Sequence, residues 1–430
     1  MEITAGYRYT QSVDISKVLF LLSLIPPFIG LWVNYYAMWI LMFILSLFWI
    51  LFTRKEVNAG IMFLWGLEFE PAPSDFIFGF SWLKRILRGD FKWISHPVLH
   101  LLLAFILLNF LQIFYSVSLL RGLFFGFVTI YLISLSFYFS SYIRSDEIWN
   151  EVKNFYLIAV YISGFILALM ILLLFIRGRL GRPDGFFKDP NVLGAFMATG
   201  ALYSLSKFLF EEREKILKHA IISLLLFILI VLTFSRGSLL NLLSGVLFLG
   251  FISIITKRSK RFFIILLIAL FVSLLSIPVI LEVFKQSFRF RAAQWYDIYG
   301  RAMAWKAGIE LFKDYPLGIG PGQFEIYSVD YQKSIGGALL ITPSAHNLYL
   351  RVLAENGIIG FMILITVLFA ILFIPIKSKK MFYSSDITWI YACLVGIIVQ
   401  SFVIDTLHWR HFWILLGFLI SLVNLRRVKT

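Results

Sequence analysis

The chain holds 430 residues, 60% of them hydrophobic and 15% charged, with a formal net charge of +15 and a mean hydropathy of +0.87. Soluble domains carry about 25% charged residues, so this composition argues against a water-soluble globular protein and for a bundle of membrane-spanning helices. Cys393 is the sole cysteine, which excludes disulfides within the chain and any metal centre built from several cysteines.

In chain order, apolar runs long enough to cross a bilayer are expected at 18–35, 37–53, 97–119, 122–143, 154–176, 191–210, 219–234, 237–256, 262–282, 357–376, 387–404 and 408–425. They make an all-α integral membrane fold of about twelve transmembrane helices, read as a single polytopic domain over 1–430. Pro26-Pro27 predicts a kink in the first run. The stretch 61–69 is too short to span and is expected in the interface or packed beneath the bundle. The first run lacks a small-residue cleavage site and is expected to act as an uncleaved anchor.

Lys and Arg set the orientation. The loop Lys257-Arg258-Ser259-Lys260-Arg261, the loop Lys377-Ser378-Lys379-Lys380 and the tail Arg426-Arg427-Val428-Lys429 fall on one side, read as cytoplasmic together with both termini. Membrane topology thus accounts for most of the positive charge, and a nucleic-acid partner is not required. The outer side nevertheless carries basic clusters at Arg177, Arg179, Arg182 and Lys188, and at Arg289, Arg291, Arg301 and Lys306. Positive charge facing outward beside a bilayer suits an anionic ligand such as a phosphate head group.

The outer segment 283–356 is too long for a simple connection and is read as a periplasmic loop subdomain holding short helices. A helix is predicted near 300–313, with Ala302, Trp305, Ile309 and Phe312 as its apolar stripe and Arg301 at the stripe's edge. The turn-rich Asp314-Tyr315-Pro316-Leu317-Gly318-Ile319-Gly320-Pro321-Gly322 closes it. A second helix is predicted from an N-cap near Ser344, placing His346 on one face with Leu350 and Leu353 and setting Arg351 and Glu355 on the opposite face.

The polar residues worth singling out lie at span boundaries. Arg236 is the one charge in the tight hairpin Thr233-Phe234-Ser235-Arg236-Gly237-Ser238, where snorkelling to lipid phosphate is the plainer alternative to ligand binding. Asp189 and Asn191 flank Pro190 and read as a helix N-terminus, with Asn191 near the cap. His346 is either a satisfied core histidine or a proton acceptor. His408 and His411 form a His-x-x-His pair without further obvious ligands, for which interfacial packing is the better explanation.

Four elements in order resemble the O-antigen ligase and polymerase superfamily of bacterial membrane glycosyltransferases. They are Phe187-x-Asp189-Pro190-Asn191; Ser235-Arg236-Gly237, with Arg236 and Leu240 in an Arg-x-x-x-Leu pattern; Arg301-x-x-x-Trp305 with Pro316-Leu317-Gly318-Ile319-Gly320; and His346-Asn347-x9-Gly357-x-x-Gly360. The last is the ligase-type pattern without a departure. The resemblance implies an inner-membrane enzyme facing the periplasm. Its donor would be a glycan on undecaprenyl diphosphate, its acceptor a sugar hydroxyl on lipid A-core or on another glycan, with no cofactor, metal or nucleotide. Arginines in fork geometry suit a diphosphate leaving group and a histidine suits deprotonation of a hydroxyl. Arg236, Arg301 and His346 are therefore the expected catalytic residues. Asn347, Arg182, Lys188, Asp189, Asn191 and Arg291 are the expected substrate-binding residues.

Three rivals remain at this stage. A polymerase of the same superfamily would share the topology and the arginines. A protein O-oligosaccharyltransferase usually carries more C-terminal sequence. A lipid-linked glycan flippase or other transporter would be expected to show internal repeats and ionisable groups within its spans.

Overall fold

The computed structural model describes residues 15–178, 182–211, 216–256, 261–263, 298–336, 341–373 and 384–428. Among the described residues the secondary structure is helical, apart from one isolated β-bridge between Leu67 and Phe187. Seven helices among the described residues are long and apolar enough to cross a membrane: Ile15–Trp32, Tyr35–Phe52, Leu119–Tyr142, Asp146–Ile176, Pro190–Phe210, Arg236–Ile255 and Leu348–Phe373. Shorter apolar helices cover Pro97–Ile113, Leu217–Leu232 and Ser385–Gln400, and a further helix spans Arg410–Val428. Nearly all of the run expected at 262–282 lies outside the described residues.

The chain forms two compact units, residues 1–90 with 150–188 and residues 91–149 with 189–430, where the sequence marks no boundary. In the first unit, α1 (Ile15–Leu22) stops short of α2 (Pro26–Trp32), because Pro26 and Pro27 can open a helix but cannot continue one. Trp49 of α3 (Tyr35–Phe52) donates from Nε1 to Ser23 Oγ at 3.1 Å beside this break. The short stretch near 61–69 packs inward: α4 (Glu56–Met62) runs into a 3-10 turn whose Phe63, Leu64 and Trp65 are buried. Helix α5 (Pro73–Leu87) was not expected from the sequence. Its Lys84 pairs with buried Glu56 at 2.7 Å, while Phe76, Phe80, Leu83 and Leu87 face outward.

The second unit is built from α6 (Pro97–Ile113), α7 (Leu119–Tyr142), α9 (Pro190–Phe210), α10 (Ile216–Leu232), α11 (Arg236–Ile255), α12 (298–314), α13 (Phe324–Ser334), α14 (Leu348–Phe373), α15 (Ser385–Gln400) and α16 (Arg410–Val428); α8 (Asp146–Ile176) precedes α9 in the chain. Helix α9 packs against α10, α11 and α15, α7 against α6 and α16, and α14 against α6. Near one end of α9, Lys207 bridges Glu211 and Asp386, and Asp386 also accepts from Trp149 Nε1 at 2.6 Å. Helix α12 turns Met303, Ala304, Ala307 and Leu311 inward, whereas Ala302 and Ile309 are exposed. The expected stripe is therefore rotated by about one residue, because α12 packs along its alanine-rich side, where backbones approach most closely.

One break organises this unit. Helix α14 is interrupted at Gly357, whose φ of 65° and ψ of −167° lie in a region essentially reserved for glycine. The loop before α13 fills the gap. Ile319 N donates to Ala354 O at 3.0 Å, Gly320 N to Glu355 O at 2.9 Å, and Ile358 N to Pro316 O at 2.9 Å. Gln112 Nε2 donates to Leu317 O and Asn356 O, while Asn356 Nδ2 donates to Asn109 Oδ1 and Gln112 Oε1. Backbone groups freed by the kink are thus satisfied one by one, as a low-dielectric setting demands. Gly318, at φ 91°, meets the break so closely that a Cβ there would lie 2.4 Å from Glu355 O.

Gly357→Ala should cost more than about 3 kcal/mol, because it adds a forbidden dihedral to a Cβ that would sit 2.3 Å from Leu317 C. Thermal unfolding in detergent should register a large fall in Tm. Gly79→Ala in α5, where a Cβ meets nothing within 4 Å, should be neutral or slightly stabilising in the same assay.

Candidate functional site

The predicted site residues of the second unit collect where α9, α11 and α14 begin. Asp189 caps α9 by accepting from Asn191 N at 2.5 Å and from Asn191 Nδ2 at 2.6 Å. The cap is therefore Asp189, and Asn191 is freed to bridge helices. Asn191 Oδ1 accepts from Ser235 Oγ at 2.5 Å, and Asn191 O accepts from Ser238 Oγ at 3.0 Å. Ser235 in turn caps α11, accepting from Ser238 N at 3.1 Å, so Arg236 becomes the first residue of that helix and is exposed.

His346 is not on a helix. Helix α14 starts at Leu348, two residues past His346, with Asn347 as its cap: Asn347 Oδ1 accepts from Leu350 N at 3.0 Å. Ser344 instead accepts from His346 N at 3.4 Å, closing a turn ahead of the helix. The expected face shared with Leu350 and Leu353 therefore does not form, since the asparagine is the better cap and the backbone reverses hand before it. His346 has a φ of 46° and Phe234 a φ of 53°, the two non-glycine residues with positive φ among the described residues. Each immediately precedes a helix cap, and each such residue costs on the order of 1–3 kcal/mol.

The segment after α15 gathers these parts. A Cβ on Gly237 would lie 3.2 Å from Gln400 Nε2 and 3.5 Å from Asn191 Oδ1, so α11 begins against the end of α15. Asn241 Nδ2 donates to Gln400 Oε1 at 2.8 Å. The next carbonyls then bind the other motifs in turn: Ser401 O accepts from Leu348 N at 3.0 Å, Phe402 O from Asn347 Nδ2 at 3.0 Å, and Val403 O from Arg301 Nη1 at 3.0 Å. Residues from three distant parts of the chain are thereby tied to one short stretch. His346 and Arg301 are both half-buried at this stretch.

Beneath it lies a buried ion network absent from the sequence reading. Arg351, expected on the face opposite His346, is buried. It contacts Asp405 at 2.8 Å, Glu325 at 3.2 Å and Glu355 at 3.3 Å. Glu355 also accepts from Phe324 N at 3.1 Å, holding the start of α13. Arg121 bonds Glu325 and Gly322 O, and the rings of Phe125 and His408 pack together nearby. His408 Nε2 lies 3.0 Å from Thr129 Oγ1, and His411 is buried against Phe196 and Trp409. Asp405 is the member that sequence reasoning missed. Its place between two apolar runs was the available signal, but its partners come from α14 and a loop.

Burial alone would raise the pKa of Asp405, yet Arg351, His408 and the Leu407 N–H together hold it below the ordinary carboxylate value. Such a group stabilises the fold above its unfolded pKa of about 3.9, and the contribution is lost as pH falls through the lower folded value. Of the remaining predicted residues, Lys188 pairs with Glu70 at 2.5 Å and Arg182 is exposed, both in the first unit. Arg291 lies outside the described residues.

Arg351→Met should destabilise by about 3–5 kcal/mol, because three carboxylates would be left facing one another in a buried site. Asp405→Asn should flatten the acid limb of the Tm-versus-pH curve below about pH 4 without changing its neutral plateau's slope.

Residues 221–365 match the family model described as O-antigen ligase, and the match spans Arg236, Arg301, His346, Asn347 and Gly357. The match contains three of the four motifs, those at Ser235, Arg301 and His346, and supports the resemblance that they carry. No curated protein gives a significant match.

Proposed function

We propose that the chain is an O-antigen ligase-like glycosyltransferase that moves a glycan from undecaprenyl diphosphate to an acceptor sugar hydroxyl, lipid A-core being the acceptor implied. The observation that carries this reading is the single carbonyl ladder of Phe402 and Val403, which holds Asn347 and Arg301 while Asn347 fixes the turn bearing His346. A cation and the neighbour of a base, anchored to adjacent peptide units, are suited to a reaction that removes a proton at one point and stabilises a leaving diphosphate at another.

In this reading His346 takes the proton of the attacking hydroxyl, and Asn347 orients the imidazole or the acceptor. Arg236 and Arg301 bind the diphosphate, aided by the positive ends of α9, α11 and α14. Direct attack inverts the anomeric centre. Because the donor is already activated, the step needs neither nucleotide nor metal. About twelve spans, with the segment 283–356 in the periplasm of an inner-membrane protein, complete the proposal. Asp189 and Asn191 then hold the α9–α11 seam of the donor site, and Arg182, Lys188 and Arg291 keep their proposed role in binding the substrate. A polymerase would use the same groups on a different acceptor.

His346→Ala should reduce transfer at least about a hundredfold with insertion and Tm retained, and His346→Gln should not rescue it. A well-inserted mutant with near-normal turnover removes the histidine from that role. Arg301→Lys should lower kcat by roughly tenfold or more, since the ammonium keeps charge but loses the fork. Lys333→Cys in a Cys393→Ser background, at an exposed position of α13, should react with an impermeant thiol reagent from the periplasmic side. Labelling only from the cytoplasm overturns the topology. Transfer assayed with purified protein, lipid-linked glycan and either lipid A-core or a second glycan separates ligase from polymerase.

A further inference from the structure

Helices α12 and α13 present a feature that the transfer chemistry does not use. Tyr315 follows the end of α12, and Tyr327 and Tyr331 are one turn apart on α13. The Tyr315 and Tyr327 rings lie 5.6 Å apart at 64°, and the Tyr331 hydroxyl donates to Asp314 Oδ2. Tyr327 and Tyr331 rest against a buried cluster of Leu311, Ile319, Phe324, Ala345 and Ala354, which fixes the rings from below. Tyr315 is 41% exposed and Asp314 is exposed, so aromatic surface and a carboxylate stand side by side toward solvent.

The ledge is tied to the turn that carries His346. Ser328 Oγ donates to Pro343 O at 3.1 Å, Gln332 Nε2 donates to Thr342 O at 2.8 Å, and Thr342 N returns a bond to Gln332 Oε1 at 3.0 Å. His346 follows Pro343 by three positions, at most about 11 Å of extended chain. Helix α13 therefore holds the tyrosines within reach of a substrate seated at His346.

We propose that Tyr315, Tyr327 and Tyr331 with Asp314 form a saccharide subsite that holds a pyranose ring of the glycan substrate. A pyranose offers axial C–H bonds on its faces and hydroxyls around its edge. Tyrosine rings held at an angle receive the first, and their own hydroxyls and the neighbouring carboxylate receive the second. Free Asp314 oxygen valence remains for a sugar hydroxyl, because Tyr331 is bonded to Oδ2 alone in the contact described. A lipid-facing role for the same rings is disfavoured by their neighbours: Lys313 with Glu310, and Lys333 with an 83% exposed Asp330, put charge on both flanks.

This inference rests on the glycosyltransferase reading and deepens it, so its test separates the two. Purified full-length protein in nanodiscs is titrated with lipid-free, diphosphate-free oligosaccharides, one from the donor repeat unit and one from the lipid A-core, followed by saturation-transfer NMR. Saturation should reach one sugar's ring protons, and Tyr315→Ala and Tyr327→Leu should each weaken that binding about fivefold to tenfold. Tyr315→Phe, which keeps the ring and loses only a hydroxyl, should weaken it less than Tyr315→Ala, and Tyr331→Phe should weaken it by loosening Asp314. In transfer assays the same variants should raise KM for the substrate carrying that oligosaccharide, leaving kcat and the other substrate's KM within about twofold; which KM moves tells donor from acceptor. Binding of neither oligosaccharide by the wild type, or unchanged Kd and KM in a folded Tyr315→Ala variant, overturns the subsite. So does a defect that follows the nanodisc lipid while oligosaccharide affinity stays constant. Absence of transfer by the wild type under all donors and acceptors, with oligosaccharide binding intact, would instead sink the glycosyltransferase reading.

Discussion

A helix broken inside an apolar bundle leaves carbonyl and amide groups that lipid or hydrocarbon cannot satisfy, and one end of the second unit is arranged around that constraint at Gly357. The loop 316–320 supplies both donors and an acceptor to the gap, and side chains of α6 supply the remainder. Because the pairing is backbone to backbone, it fixes α12, α13 and the first turns of α14 as one body. The glycines on both sides of the contact are the only residues that leave room for two main chains to meet. Their role is architectural: they aim the start of α14, and with it the turn holding His346.

The ion network under that turn serves a related end at a higher cost. Arg351 joins α14 to the start of α13 and to Asp405 in the segment after α15. Replacing such a network with apolar side chains often stabilises a protein, so its retention argues for uniqueness of arrangement over strength. The arrangement it selects is one in which His346 keeps an unfavourable backbone conformation. A left-handed histidine persists only where its surroundings over-determine it, and Asn347, Ser344 and the 401–403 carbonyls do so here.

Much of this was legible in the sequence. Helical spans follow from apolar run length alone, and most expected runs coincide with described helices. The motifs at Asp189, Arg236, Arg301 and His346 stood out because each is polar at an apolar boundary. Several details were not legible, for identifiable reasons. Periodicity put His346 inside a helix since Ser344 is a good cap by type, whereas the actual cap depends on Asn347 bonding a carbonyl from residue 402. Arg351 and Glu355 looked solvent-facing because a charged i, i+4 pair on a helix usually is, and only α13 and Asp405 make burial possible. Asn109 and Gln112 are polar residues within an apolar run, and their purpose is set by Asn356, more than two hundred residues away in sequence. The amphipathic character of α5 is plain in retrospect from Phe76, Phe80, Leu83 and Leu87, but charge and glycine dilute it to a short, mixed segment.

The two adjacent carbonyls of Phe402 and Val403 belong to consecutive peptide planes joined at the Val403 Cα, so both bonds are made to one short piece of main chain. Asn347 and Arg301 are therefore mounted on a common hinge pin. Any displacement of the stretch after α15, whether from a bulky side chain packed near Gln400 or from a shift of α16, moves the proposed base and the proposed anion clamp in concert. Their spacing would survive such a displacement while their position relative to α11 and Arg236 would not. Perturbations arriving from that side of the bundle should thus separate one arginine from the other before they separate either residue of the mounted pair.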